Sequence, residues 1–595
     1  MRYFFDIETN AIEDWAQLSD LEVVHLVVAE DDDGNVLVGD DEESIKSVLK
    51  KMEEADEIIG HNVIGFDLPA LYKVYNFTHP NVVDTLVMSR CIYPDIARES
   101  GINASVDPKL IGAHSLKAWG QRLGEHKDSH GETETWEELT PEMIDYCIQD
   151  VKVTKKLYEK LALTPELSDA MLEIEHIFAK LMRKQQYNGF PFDETKAEKL
   201  CGKLTAERAQ LKKELQKVFK PEVVEMKSCW YVDTHGNKYP TKKAAVEVGV
   251  KDPKKGPHKT KEIPFNPNSR DQIAARLLDL GWKPAAYEGK RPKIDESVLR
   301  SINLPEATQL CKYLLLSKRL GQIAEGQQAW LKLSKENKIY GTVITNGAVS
   351  GRCTHRNPNV AQVPAVRAEY GKECRELFHA PKGKVLVGAD ASGLELRCLA
   401  HYLWRFDNGA YAKEILTGDV HTANQNAAGL HTRDQAKTFI YAFLYGAGDE
   451  KIGSIVNGTR ADGRRLKTQF TQRIPAIGQL LTAVKNRVKQ TNNLKGLDGR
   501  ILPCRSDHSA LNLLLQSAGA VIMKKALIEF CSMATRPFVL HANIHDEIQF
   551  SCDRQDASIL GDTFGEAMKS AGEKLGFRCP LDSEYKAGAN WAKTH

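Results

Sequence analysis

No two of the twelve cysteines stand three residues apart, so neither a zinc ribbon nor a disulfide framework is indicated. Thiols scattered in this way read as buried and reduced, in a cytosolic compartment. Charge of one sign is lacking as well: 81 Lys and Arg face 80 Asp and Glu, a formal +1. A polyanionic partner would therefore be held by local patches, not by the whole surface. No uncharged apolar run reaches about 18 residues, which argues against a membrane span. The opening residues, MRYFFDIETN, lack the basic-then-apolar plan of a signal peptide. Repeats and low-complexity tracts are missing too. What is there is an ordinary globular composition, 42% hydrophobic and 27% charged, which excludes wholesale disorder. At roughly 150 residues per domain, the length predicts about four compact units.

The first part of the chain alternates strand-like runs at 2–7, 21–29 and 58–60 with a helical run at 44–54. That alternation predicts a mixed α/β unit. The acids at 30–33 and 40–43 read as a solvated loop beside a strand, with a cation site as the alternative. From Glu166 to Lys217 a charged helical pattern predicts two long helices, broken at Asn188-Gly189-Phe190-Pro191. Residues 230–238 read as a hairpin, and 241–262 carry seven Lys against three acids. This segment is read as an insertion tip: a mobile basic loop, or a contact for nucleic acid or an accessory protein. Helical patterns resume at 269–280 and 307–334, and strands, helices and hairpins alternate beyond Tyr340.

Chemistry is concentrated in carboxylates. Asp6 and Glu8 lie two apart on a strand and leave one face of it, where two like charges are costly without a cation. Asp67 stands just inside a helix opened by His61-Asn62-Val63-Ile64-Gly65-Phe66. Tyr146 and Asp150 sit four apart in a helical stretch and so share a helix face. Carboxylates plus a phenol are what two divalent ions need to activate water against a phosphodiester, and hard oxygen ligands select Mg²⁺ or Mn²⁺. The set Asp6-Ile7-Glu8, 62–67 and 146–150 resembles the DEDDy proofreading 3′–5′ exonucleases. That resemblance implies that Asp6, Glu8, Asp67 and Asp150 hold metals and that Tyr146 orients the attacking water.

A second carboxylate group lies near the other end. The apolar run 385–389 ends in Asp390 and leads into a helix at 394–402. Runs 538–544 and 548–551 read as strands separated only by His545-Asp546-Glu547, with none of the Gly or Asn that tight turns favour. Such a breach of local preference is expected at functional positions. Asp390 alone reads equally well as a helix cap. If its strand neighbours the hairpin, two carboxylates meet at one sheet edge and can bridge two cations. Between them, Thr432 and Gln435 form a capping-box pattern, and Arg433, Lys437 and Tyr441 follow at four-residue steps. Eight residues at 1.5 Å span about 12 Å, comparable to a triphosphate plus base. Cations near a helix N-terminus suit phosphate, and an aromatic at the far end suits a base. The common meaning of such spacing, a solvated cationic face with a core Tyr, leaves unexplained why Tyr441 and Tyr445 run straight into Gly446-Ala447-Gly448, a turn that admits close approach of another chain.

The segments DASGLELRCLAHY, RDQAKTFIYAFLYGAGDEKIG and HDEIQ resemble, in order, motifs A, B and C of family A (Pol I-type) DNA polymerases, most closely those of short-tailed bacteriophage replication. The resemblance implies an α/β and α+β multidomain chain. It has an RNase H-like exonuclease at 1–165 and a right-hand polymerase at 166–595. The thumb would be about 195–335 with a shortened insertion at 217–264, the palm 336–402 and 512–595, the fingers 403–511. Asp390 and Asp546, with the Ala391 carbonyl, would hold two Mg²⁺ (Mn²⁺ as the alternative). Arg433, Lys437 and His421 would hold the incoming dNTP, with Lys437 also protonating the leaving pyrophosphate. Tyr441 would stack on the nucleotide and, as Tyr, admit dideoxynucleotides. Glu395 would exclude a ribose 2′-OH. Arg352, Gln516 and His545 would read the minor groove and primer end, beside Tyr445 and Gly446. Partners would be primer-template DNA, dNTPs and a replicative helicase-primase in the cytoplasm of a bacterial host, without a membrane. A thioredoxin-type processivity factor is put in doubt by the short insertion. A single-subunit RNA polymerase is disfavoured by Glu395 and by the exonuclease residues. A decayed nucleic-acid scaffold is disfavoured by carboxylates at all six metal positions.

Overall fold

The strand Arg2–Thr9 divides its side chains between two cores. Its period of two sends Tyr3, Phe5 and Ile7 into one buried cluster with Ile45, Val48 and Met52 of the helix Glu42–Glu53. Phe4 points the other way and packs with Cys147 and Val151 of the helix Pro141–Ala162. Asp6 and Glu8 share the Phe4 side. This strand is central in a five-stranded sheet ordered Val36–Gly39, Val24–Asp31, Arg2–Thr9, Glu57–Gly60, Val82–Asp84. It runs antiparallel to Val24–Asp31 and parallel to Glu57–Gly60.

The computed structural model describes residues 1–10, 18–125, 138–165 and 167–595. Glu166, where the sequence reading begins its second domain and its long helical stretch, lies outside them. The chain divides into two units, Met1–Asp193 with Ser334–His595, and Glu194–Leu333.

Within the first unit the second strand begins at Val24, later than expected, because the Asn10 side chain takes the amides of Glu22 and Val23 at 3.0 and 2.9 Å and holds them in a loop. The neighbouring acids shape turns. Asp31 Oδ1 accepts the amides of Asp33 and Asn35 at 2.9 Å each, and Asp41 caps the helix Glu42–Glu53 from the Ser44 amide at 2.8 Å. A second sheet in this unit is antiparallel throughout, ordered Phe538–Ile544, Glu547–Cys552, Val385–Ala391, Ser583–Gly588. Ile548 and Phe550 from this sheet join Leu527, Phe530 and Phe564 of the helices Ala510–Met533 and Ala557–Lys574 in one core. Ala510–Met533 is long and apolar enough to cross a membrane, though it carries Lys524, Lys525 and Glu529; here 72% of its most apolar window is buried within the protein. Seven helices run from Leu394–Asp407 to Pro475–Thr491, between the two sheet segments that carry Asp390 and Asp546.

In the second unit the helix Glu194–Val218 packs on Pro305–Leu320, with Leu204, Leu211, Leu310 and Leu316 buried. The expected basic loop is instead a three-stranded sheet: Glu222–Val232 pairs with both Lys238–Tyr239 and Lys254–Ile263. Both long strands are exposed along most of their length. Backbone pairing needs no apolar face, which is why charge composition pointed to a loop. All twelve cysteines are free, as expected; Cys201, Cys229, Cys353, Cys504 and Cys531, however, are only half-buried.

Candidate active sites

Four carboxylates surround the thiol of Cys147. Asp6 Oδ2 lies 3.7 Å from Cys147 Sγ, and Asp150 is buried three residues further along the same helix, Pro141–Ala162. Asp67 opens the helix Asp67–Tyr75, and its carboxylate accepts the amide of Ile7, the residue between Asp6 and Glu8. Burial, then the charges of Asp6, Glu8, Asp150 and Asp67, push the Cys147 thiol far up. Tyr146 sits one turn before Asp150. Burial, then Asp84 and Asp150, raise Asp67 to about 7.

Asp84 went unremarked in the sequence. It accepts the amides of Asn62, Ile64 and Leu86 at 2.9, 3.1 and 2.9 Å, and so fixes the turn from which Asp67 starts. Asn62 takes φ 65° there, a left-handed conformation that Asn tolerates.

In the second group, Asp390 closes the strand Val385–Ala391, opposite Glu547 on one side and Glu584 on the other. The hairpin turn consists of His545 and Asp546 only. The three-residue turn expected from sequence is corrected, because Glu547 pairs with Ile544 and Asp390 and belongs to the strand. His545 has φ 56°, which costs a residue with a side chain about 1–2 kcal/mol. The Ala391 amide donates to the Asp546 carbonyl at 2.9 Å, so the two aspartates ride on directly bonded backbone. Burial, then the charges of Asp546 and Glu547, raise Asp390 to about 7. Burial, then Glu395, raises Asp546.

The helix Arg433–Leu444 starts with the reciprocal capping box of Thr432 and Gln435. Burial, then the Arg433 and Lys437 cations, lowers His421, so the three expected phosphate contacts share one corner. Arg433 is already engaged: its Nε lies 2.8 Å from Asp419, the N-cap of Val420–Ala428, which the sequence did not disclose. Two turns on, Tyr441 is raised by burial, then by the charges of Glu395 and Asp546. Glu395 is the hub there. Tyr445 donates to its Oε1 at 2.7 Å, and Arg352 Nη2 lies 3.9 Å from the same oxygen. Burial, then Arg352, lowers His545. Gly446 has φ 71°, and a Cβ would fall 2.5 Å from the His508 carbonyl. Gln516 is half-buried in Ala510–Met533.

The donor sets fit divalent cations, being hard carboxylate oxygens; burial first, and neighbouring acids after it, raise Asp67, Asp390 and Asp546. Ligand atoms of Asp6, Glu8 and Cys147 lie within 4.8 Å of one another, as do those of Asp390, Glu547 and His595. Glu547 is spoken for, however. Its Oε1 accepts Trp591 Nε1 and Gln549 Nε2 at 2.6 Å each, and His595 Nδ1 lies 2.8 Å from its Oε2. Burial works to raise it, yet His595, Arg375 and Trp591 hold it below the usual carboxylate range. Asp546, pushed up by burial and by Glu395, is the carboxylate that a metal ion would relieve.

Fold and carboxylate pairs together define a class, the nucleotidyl-transfer enzymes built on an antiparallel sheet. The family description "DNA polymerase family A" matches residues 241–593. The DNA-directed DNA polymerases of Escherichia phage T7 and Enterobacteria phage T3 are each 39% identical, over 90% of this chain and 92% of theirs. DNA polymerase I of Aquifex aeolicus (strain VF5) is 23% identical over 92% of this chain and 89% of that one. The solved POL domain of Pol1 from M. smegmatis, in complex with DNA primer-template and dNTP, shares the fold. Its TM-score is 0.75 at 16% identity, covering 100% of this chain and 96% of that one. The chain belongs to DNA polymerase family A, whose members depend on metal ions.

Proposed function

We propose that this polymerase extends a DNA primer with dNTPs under template direction at Asp390 and Asp546, and removes misincorporated ends at Asp6, Glu8, Asp67 and Asp150. Asp390, Asp546 and the Ala391 carbonyl would hold two Mg²⁺, with Mn²⁺ able to substitute. Bound there, the ions supply charge stabilisation for in-line displacement at phosphorus. The residues of the chain do the rest. Lys437, His421 and Arg433 bind the triphosphate, Arg433 exchanging Asp419 for phosphate oxygens, and Lys437 gives a proton to the departing pyrophosphate. Tyr441 orients the base. Glu395, held by Tyr445, fills the space a 2′-hydroxyl would need. Arg352, His545 and Gln516 donate to minor-groove acceptors present in every correct pair, which tests pair shape without reading sequence. At the other site Tyr146 orients the attacking water. Glu194–Leu333 would act as the thumb and contact primer-template DNA. The setting would be the bacterial host cytoplasm, where a helicase-primase is the expected companion.

The observation that carries this reading is the bonded pairing of the Asp390 strand end with the Asp546 turn; the charges of Glu395 and Asp546 also reach Tyr441 of the cationic helix. Asp390→Ala or Asp546→Ala should abolish primer extension while single-strand degradation continues. Extension above about a hundredth of the parent rate would defeat the assignment, since losing a metal ligand costs several kcal/mol of barrier.

A further inference from the structure

Behind Arg352 lies a group of charges that neither the chemistry nor the core requires. Glu175, Asp498, Arg500 and Lys524 have side chains no more than 4% exposed. Two acids face two bases, so the group is neutral. Lys524 Nζ donates to Glu175 Oε1 and Oε2 at 2.7 and 2.8 Å, and Arg500 Nη2 donates to Asp498 Oδ2 at 2.6 Å and to Glu175 Oε1 at 2.5 Å. Desolvating four charges is expensive, and apolar side chains of similar volume often serve stability as well or better. Such a cluster therefore asks for a reason other than packing.

It grips a loop. Strands Thr342–Ile344 and Thr354–Arg356 pair as a hairpin, joined through 345–353. Lys524 Nζ donates to the carbonyls of Thr345 and Gly351 at 2.7 and 2.8 Å and to Asn346 Oδ1 at 3.2 Å. Arg500 Nη1 donates to the same Asn346 oxygen at 3.1 Å. Gly351 has φ +78°, and a Cβ on it would sit 1.9 Å from Arg500 Nη1. The guanidinium occupies the room a side chain would need. The next residue is Arg352, whose own guanidinium faces Glu395.

We propose that Lys524 and Arg500, neutralised by Glu175 and Asp498, are positioning residues that fix the height and direction of the 345–353 loop, and thereby the reach of Arg352 to the primer-terminal base pair. The inference rests on Arg352 being a minor-groove donor. Arginine has many rotamers, and a displacement of about 1 Å can cost on the order of a hundredfold in rate, so a directional anchor matters more here than contact area. Hydrogen bonds from two buried cations to two carbonyls and one amide oxygen supply direction, which apolar packing does not.

Lys524→Met combined with Glu175→Gln removes one balanced pair and leaves the interior neutral. Extension from matched and mismatched primer ends is measured in the full chain carrying Asp6→Ala and Glu8→Ala, so that degradation does not mask mismatches. The ratio of matched to mismatched extension should fall about tenfold, as for loss of one charge-assisted hydrogen bond, and Arg352→Ala should do the same. Combined with Arg352→Ala, the pair should cause no further fall in the ratio. Single-strand degradation, followed with Asp6 and Glu8 intact, should be unchanged. A loss shared equally by matched and mismatched ends, or one that adds in full to Arg352→Ala, overturns the positioning role. Discrimination untouched by Arg352→Ala would instead remove the minor-groove reading of that residue. If the charge variant does not fold, Arg500→Lys keeps the buried charge and gives up the Nη1 bond to Asn346. It should reproduce the loss, and an unchanged ratio would overturn the proposal.

Discussion

Asp390 and Asp67 are carboxylic acids that the folded chain prefers neutral, both raised to about 7, with burial the first cause. An unfolded Asp titrates near about 3.9. Between those values the folded state keeps protons that the unfolded chain has lost, so their contribution to stability falls as pH rises through that window. A divalent cation favours the ionised form and should reverse the loss. We expect metal-chelated protein to lose melting temperature between about pH 5 and about pH 8, and Asp390→Asn to lose less. Buried His541, lowered to about 4, acts in the opposite sense below its ordinary value, so the difference between parent and Asp390→Asn is the quantity to measure. Magnesium at the higher pH should raise the melting temperature of the parent more than that of Asp390→Asn. Equal responses would mean that Asp390 does not see the ion. Single residues of this kind were readable in the chain because strand ends and helix starts flag them. Their supports were not. Glu175 and Arg500 stand 325 residues apart, and Glu547 and Trp591 stand 44 apart. No spacing rule reaches across such gaps.

At the scale of elements, the strand Arg2–Thr9 and the helix Pro141–Ala162 form one working unit, joined by Phe4, Cys147 and Val151. Asp6→Ala with Glu8→Ala should erase single-strand degradation and spare extension, because the substitutions lie on the face away from Tyr3, Phe5 and Ile7. Equal loss of both activities would point to misfolding. The alternation of this strand, the capping box at Thr432 and the break at 188–191 were legible, since each depends on neighbours in sequence. The edge of Val24–Asp31 and the length of the 545–546 turn were not, because a side chain from Asn10 and a pairing with Asp390 decided them.

For the whole molecule, near-zero net charge hid an exposed basic ribbon, Glu222–Val232 paired with Lys254–Ile263. Its strands bury little, so replacing 222–263 by a short linker should leave the principal melting transition and single-strand degradation unchanged. Primer-template affinity should drop, and the slope of log affinity against log salt should become shallower by about one for each phosphate that the ribbon had neutralised. An identical slope would mean that these lysines meet no phosphate.

The sharing of Arg2–Thr9 between two cores has a consequence for how its chemistry can change. Inserting one residue between Phe5 and Asp6 would turn both acids into the core that holds Tyr3 and Phe5, and bring Ile7 round to the side of Phe4 and Cys147. Editing at this end of the chain can therefore be retuned by exchanging side chains in place, but never by altering the strand's length.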